Sequence, residues 1–196
     1  MNIRLSGYCA LACFALLAVS MPLQAADKAP APAGTTPATT WIHPVIAKFG
    51  AVHPRPDVSG QPDPSVNYKV FIDVIGNVMD KGKHLDSLGR VARLVNLMGF
   101  AKVPAEHVHI VALLDGYTED AALVNAAYRK LYKKDNPNLE ILHALKKAGV
   151  ELLICSQAMA GQGLKDSDID PGVTITLSGV MAPVVYGQRG YTYMQL

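Results

Sequence analysis

The stretch Val150-Glu-Leu-Leu-Ile-Cys-Ser-Gln-Ala-Met-Ala160 changes its pattern at Cys155 with no linker in between. Before the cysteine, Val150 to Ile154 is a short apolar run, the signature of a strand buried on both faces. After it, Ser156 to Ala160 is a helix-forming run that opens on a residue able to cap. Gly149, just upstream, suits the end of a preceding helix. Helix, strand and helix thus follow one another with almost no spare chain, as in the repeat of a parallel α/β sheet.

The same alternation extends in both directions. Tyr68-Lys-Val-Phe-Ile-Asp-Val-Ile75 is a β-branched and aromatic run ended by Gly76, and Val108 to Leu114 is a second, stopped by Asp115-Gly116. Between them Asp86 can cap a helix in which Leu88, Val91, Ala92, Val95 and Met98 recur at helical spacing up to Gly99. A polar, broken helical stretch covers Glu119 to Lys134. Asn136-Pro137 is expected to open a firm helix, with Asn as cap and Pro at its first position, and Leu139, Leu142 and Leu145 form its apolar stripe. Val173 to Leu177 reads as a fourth strand and Tyr191 to Gln195 as a short fifth. Gly179 to Gln188 between them is helical if Pro183 sits in its first turn. The fold class is α/β: an open, mostly parallel, five-stranded, flavodoxin-like sheet with helices on both faces and right-handed crossovers.

The rest of the 196 residues is arranged ahead of this domain, which is taken as 67–196. Residues 1–25 have the layout of a secretory leader: Asn2 and Arg4, an apolar run from Tyr8 to Val19, Pro22, and a cut near Ala25. The run is shorter than the ~20 residues that span a bilayer, so the leader predicts export to the periplasm without a lasting anchor. Residues 26–40, rich in Ala, Pro and Thr, read as a flexible linker. Residues 41–66 are proline-rich but contain Trp41, Ile42, Val45, Ile46 and Phe49, and are expected to be an arm that wraps this domain or a neighbouring subunit.

Composition excludes several classes of function. Half of the residues are hydrophobic, 17% are charged and the formal charge is +2, so neither a disordered chain nor a nucleic-acid binder fits. Gly161-Gln-Gly163 lacks the third glycine of a dinucleotide fingerprint, and no phosphate loop, Gly-x-Ser-x-Gly elbow or His-Glu-x-x-His is present. No cofactor is expected. His107 and His109 alternate on one strand, which suits a metal, but they lie at the opposite end from Cys155, and no metal site is assigned.

Chemistry is expected where open parallel sheets bind ligands, beyond the carboxyl ends of the strands. Three segments gather there: Gly76 to Leu85 with Asn77, Asp80, Lys81, Lys83 and His84; Asp115-Gly116-Tyr117-Thr118; and Cys155-Ser156-Gln157. Loss of the leader removes Cys9 and Cys13, so Cys155 is the lone cysteine of the exported chain. At a helix start its thiol meets unpaired N–H groups and the positive end of the dipole, which favour the thiolate. A buried, inert cysteine is the competing reading.

With these residues in view, the chain resembles the DsrE/DsrF-like sulfur-relay family, particularly its exported members. The likeness rests on Asn136-Pro-Asn-Leu139, on Ala148-Gly-Val150 through Cys155-x-x-Ala158, on the ending Gln188-x-Gly-Tyr191, and on the arm, including Gln61-Pro-Asp63. The resemblance implies an α/β sandwich assembled as a homotrimer or homohexamer, with a sulfur-carrying cysteine at Cys155. The expected function is an exported sulfur carrier or sulfurtransferase holding a persulfide on that cysteine. Ser156 and Gln157 would stabilise the sulfur through their backbone N–H groups, and Lys83 or His84 would steer an anionic donor. Its partners would be small sulfur species or a thiol protein. The alternative is a non-catalytic oligomeric module that binds a small ligand over a packed Cys155.

Overall fold

The computed structural model describes residues 40–76 and 83–196. The leader, nearly all of the linker, and Asn77 of the first rim loop lie outside the described residues. Five parallel strands form one sheet in the order β4-β3-β2-β1-β5. They are β1 (Tyr68–Val74), β2 (Val108–Leu114), β3 (Glu151–Cys155), β4 (Thr174–Thr176) and β5 (Thr192–Gln195). The helices are α1 (Asp86–Phe100), α2 (Asn125–Tyr132), α3 (Leu139–Lys147), α4 (Ser156–Gln162) and α5 (Met181–Gln188). Among the described residues no helix is long and apolar enough to cross a membrane.

Side chains along the central strands alternate between two cores, as the pleat requires. Ile72, Val74, Ile110, Ala112, Leu114, Leu152 and Ile154 face a large core with Leu88, Val91 and Val95 of α1 and Ile141, Leu142 and Leu145 of α3. Phe71, Val111, Leu113 and Leu153 face the other side, where Ala182, Tyr186 and Tyr191 complete a much smaller core. The Tyr186 hydroxyl donates to Glu151 at 2.7 Å and holds α5 on the sheet. Both faces therefore carry helices, but the second is covered by a single eight-residue helix. Leu177, Val180, Met181, Val184 and Tyr193 are left exposed around it.

Two expected caps take other roles. Asp86 stands in the first turn of α1 and makes no side-chain cap, so it acts only as a negative charge near the positive helix end. Helix α3 begins at Leu139, after the Asn-Pro pair, because Asn136 is buried and bonded elsewhere. Its amide donates to the carbonyls of Ala121 (2.9 Å) and Leu123 (2.6 Å), and its oxygen accepts from Asn138 N at 2.9 Å. Asn138 in turn accepts from Leu85 N at 2.8 Å. The motif braces the loops beneath the helices. A side chain committed to distant carbonyls is not available to cap its own helix.

The arm packs on its own domain. Ile42 and Val52 exchange backbone hydrogen bonds of 2.9 Å, closing the arm into a loop. Asn96, fully buried on α1, clasps it: Oδ1 accepts from Val45 N and Ile46 N, both at 2.8 Å. The Asn96 amide donates to the carbonyls of Phe49 and Gly50 at 2.9 and 3.0 Å. Gly50 has φ of +68°, and a Cβ there would stand 2.2 Å from Arg93 N, so the close approach admits glycine alone.

Candidate functional site

All strands run the same way, so the chain leaves β1, β2, β3 and β4 at one rim. Cys155 ends β3 and is itself the N-cap of α4. Its Sγ accepts a hydrogen bond from Ala158 N at 3.4 Å and another from Gly179 N at 3.1 Å. The thiol is buried, with 4% of the residue exposed.

The expected donors, the N–H groups of Ser156 and Gln157, are not the ones that reach sulfur. When a side chain caps a helix it meets the third helical N–H, here that of Ala158. Ser156 and Gln157 contribute through their side chains. Ser156 Oγ donates to Leu177 O at 2.7 Å and Gln157 Nε2 donates to the same carbonyl at 3.2 Å. These bonds draw the loop after β4 against the start of α4 and bring Gly179 N–H onto the thiol.

Asp115 joins the site through the sheet. Leu114 pairs with Ile154, so the next residues along, Asp115 and Cys155, stand side by side at the ends of adjacent strands. Leu113 and Leu153 both face the small core, and two residues later Asp115 and Cys155 project to that same side. The Asp115 carboxylate rests against Gly179: a Cβ built there would be 1.6 Å from Oδ2. Gly116, at φ +67°, makes the tight turn and donates its N–H to Asp115 Oδ1 at 2.7 Å. Thr118 Oγ1 accepts from Asp115 N at 2.9 Å and lies 3.1 Å from Val74 O, tying the turn to β1. A cleft of about 200 Å³ opens beside it, lined by Asp73, Ile75, Gly76, Asp115, Gly116 and Tyr117.

His84 is not brought to Cys155. Lys83 is exposed at the edge of the described segment. The His84 ring meets Phe49 of the arm edge-on at 5.1 Å and lies beside Gly89 of α1. The arm lies on α1, on the large-core side of the sheet, whereas Cys155 projects to the α5 side, so the sheet separates them. His107 Nδ1 sits 2.9 Å from Pro64 O, and among the described residues no three His, Cys, Asp or Glu side chains come together to hold a metal.

Gly179 and Glu119 belong to the site without having signalled it in the sequence, and Ala158, which closes the Cys155-x-x-Ala158 motif, gave no sign that its N–H is the donor. The two donors are backbone groups, and backbone groups leave no mark on residue type. Glu119 is fully buried behind the Asp115 turn; Oε2 accepts from Gln162 of α4 at 3.3 Å and Oε1 has no partner. Burial pushes its carboxyl above the usual range, and Asp115 adds to that push against its own backbone N–H.

The backbone architecture is similar to that of solved structures of low sequence identity. A protein of unknown function, MTH1491 from Methanobacterium thermoautotrophicum, is 20% identical with a TM-score of 0.49, over 66% of this chain and 99% of that one. The ychN protein from E. coli is 17% identical with a TM-score of 0.46 over the same shares. No curated protein matches the chain. The model of the DsrE/DsrF-like family matches residues 69–196, from the second residue of β1 to the last residue of the chain, and the site with it. The chain therefore belongs to the DsrE/DsrF-like family.

Proposed function

We propose that the protein is an exported sulfur carrier that holds a sulfane sulfur as a persulfide on Cys155. The observation that carries this reading is the pair of N–H groups, from Ala158 and Gly179, that point at Sγ. Two aligned amide dipoles stabilise negative charge on sulfur, which both thiolate attack and a persulfide anion require. The transfer needs no external oxidant. The Cys155 thiolate attacks the outer sulfur of R–S–SH; the new Sγ–S bond forms as the donor's S–S bond breaks. The thiolate R–S⁻ leaves with the electron pair, and the transferred sulfur keeps its hydrogen. The reverse step, with an acceptor thiolate attacking the outer sulfur, discharges the carrier.

Family membership supports a sulfur-relay role, and the leader-like residues 1–25 support periplasmic export. The apolar row around α5 supports the homotrimer or homohexamer. The 4% exposure of Cys155 favours a second reading, a ligand-binding module over a packed thiol. One experiment separates the two. The folded, leader-free protein is treated with cysteine persulfide and weighed by mass spectrometry beside Cys155→Ser. A gain of one sulfur in the parent alone supports the carrier; no gain, or equal gain in both, leaves the binding module.

A further inference from the structure

We propose that Asp115 is a charge filter for Cys155: it makes the site take an uncharged or cationic thiol or persulfide and turn away anionic sulfur species such as thiosulfate and sulfite. The inference deepens the sulfur-carrier reading and rests on it for the identity of the ligand, but its electrostatics stand on geometry alone.

Three observations carry it. First, Asp115 and Cys155 end adjacent strands in register, on the same side of the sheet. Side chains so placed have Cβ atoms about 5 Å apart. Second, both touch Gly179, Cys155 through the 3.1 Å N–H···S bond and Asp115 through a carboxylate that fills the space a side chain would need. A molecule approaching the sulfur from this rim therefore passes the carboxylate. Third, among the described residues no cation pairs with the carboxylate. The described residues form three ion pairs, Lys48–Glu140, Arg55–Asp57 and Arg129–Asp135, and a His143–Asp170 hydrogen bond, and none includes Asp115 or Asp73. Asp73, which shares the cleft with Asp115, accepts from the neutral Tyr193 hydroxyl and Gln195 amide, at 2.9 and 3.3 Å, among the described residues. Asp80 and Lys81 of the first rim loop lie outside the described residues.

A like charge within one strand spacing of the reacting sulfur slows an anionic reagent by about tenfold at low salt and leaves a neutral one nearly unaffected. On this proposal the donor is not the anionic one that Lys83 or His84 was expected to steer. The rim suits a zwitterionic or cationic thiol, or a cysteine on a basic segment.

The test compares two alkylating reagents of similar size, neutral iodoacetamide and anionic iodoacetate, on the folded protein and on the same protein in denaturant. The expected rate ratio of amide to acetate is roughly tenfold higher folded than unfolded at low ionic strength. It falls most of the way to the unfolded value in Asp115→Asn and in high salt, and it persists in Asp115→Glu, which keeps the charge and guards against loss of fold. A folded ratio equal to the unfolded one, or one that Asp115→Asn leaves unchanged, overturns the proposal. A sulfur arm runs beside it, with thiosulfate against cysteamine persulfide and a mass readout. Equal loading from both donors overturns the filter. Loading from neither defeats the sulfur-carrier reading, while the alkylation ratio still decides the role of Asp115.

Discussion

The amide of Gly179 donates a 3.1 Å hydrogen bond to the sulfur of Cys155 across a separation of 24 residues, and the carboxylate of Asp115 occupies the space beside the same glycine. Gly179 is therefore fixed on two sides by groups that have no sequence proximity to it. Its backbone supplies one of the two N–H groups on the thiol, and its missing side chain is what lets Asp115 approach.

Gly179→Ala puts a methyl group 1.6 Å from Asp115 Oδ2, so either the carboxylate turns away or the N–H lifts off the sulfur. Gly179 is half-buried and held to the sulfur by one N–H···S bond, the weaker of the two restraints, whereas the Asp115 carboxylate is held by Gly116 N–H at 2.7 Å. The N–H···S bond is expected to break. Loss of a donor of this kind is worth about 1–2 kcal/mol, so alkylation of Cys155 by iodoacetamide at neutral pH should slow by roughly five- to thirtyfold, with the melting temperature within a few degrees of the parent. An unchanged rate would detach Gly179 from the site.

The periodicities of the sequence placed all five strands, the α1 stripe and Pro183 in the first turn of α5, because each depends on neighbours a few residues apart. The rim position of Cys155 and Asp115 followed from the parallel sheet. What the sequence did not disclose depends on long-range backbone partners: Asn136 looked like a cap and is a buried brace, and Ser156 looked like a cap where Cys155 holds that place. His84 sits on the expected rim, yet it is turned toward Phe49, because an aromatic of the arm offers an apolar surface that no local pattern reveals.

Asn96 should be the residue on which the arm depends. It is fully buried, and its one side chain satisfies backbone groups of Val45, Ile46, Phe49 and Gly50. Asn96→Ala leaves several of these unpaired inside the protein, at a cost of roughly 2–4 kcal/mol. Limited proteolysis is expected to cut between residues 41 and 50 in the variant and not in the parent. The iodoacetamide rate at Cys155 should stay unchanged, since the arm lies across the sheet from the thiol. Equal protease resistance would show that Ile46 and Val52 hold the arm by burial alone.

The apolar row beside α5 tests the proposed assembly. Val180 is 82% exposed, Leu177 69% and Val184 55%, a concentration that single surface residues do not make. Val184→Glu adds a charge to this row without touching the core residue Ala182. The parent is expected to travel in light scattering at three or six times the chain mass, by the family resemblance, and the variant at one, with an unchanged circular dichroism spectrum. A parent at one chain mass over the micromolar range removes the oligomer from the reading.

Glu119 gives the stability of the fold a pH dependence of known sign. Its carboxyl is buried, with one oxygen unpartnered, and burial, with a smaller contribution from Asp115, raises its pKa above the ordinary 4.5. The native state therefore binds this proton more tightly than the unfolded chain does. The stability tied to it is present in full below the unfolded pKa and is lost as pH rises through the higher folded value. Above that value the protein carries a buried, half-satisfied carboxylate. Glu119→Gln keeps the shape, has no charge to bury and can still hydrogen-bond to Gln162. At pH 7 the variant should melt a few degrees above the parent, and the difference should shrink as pH falls toward and below 4.5, where the parent carries the proton itself. Both proteins lose stability in strong acid through their other carboxylates, so the informative quantity is the gap between the two melting curves at each pH. A gap that stays constant from pH 4 to pH 8 would assign the gain to packing and remove Glu119 as its titrating source.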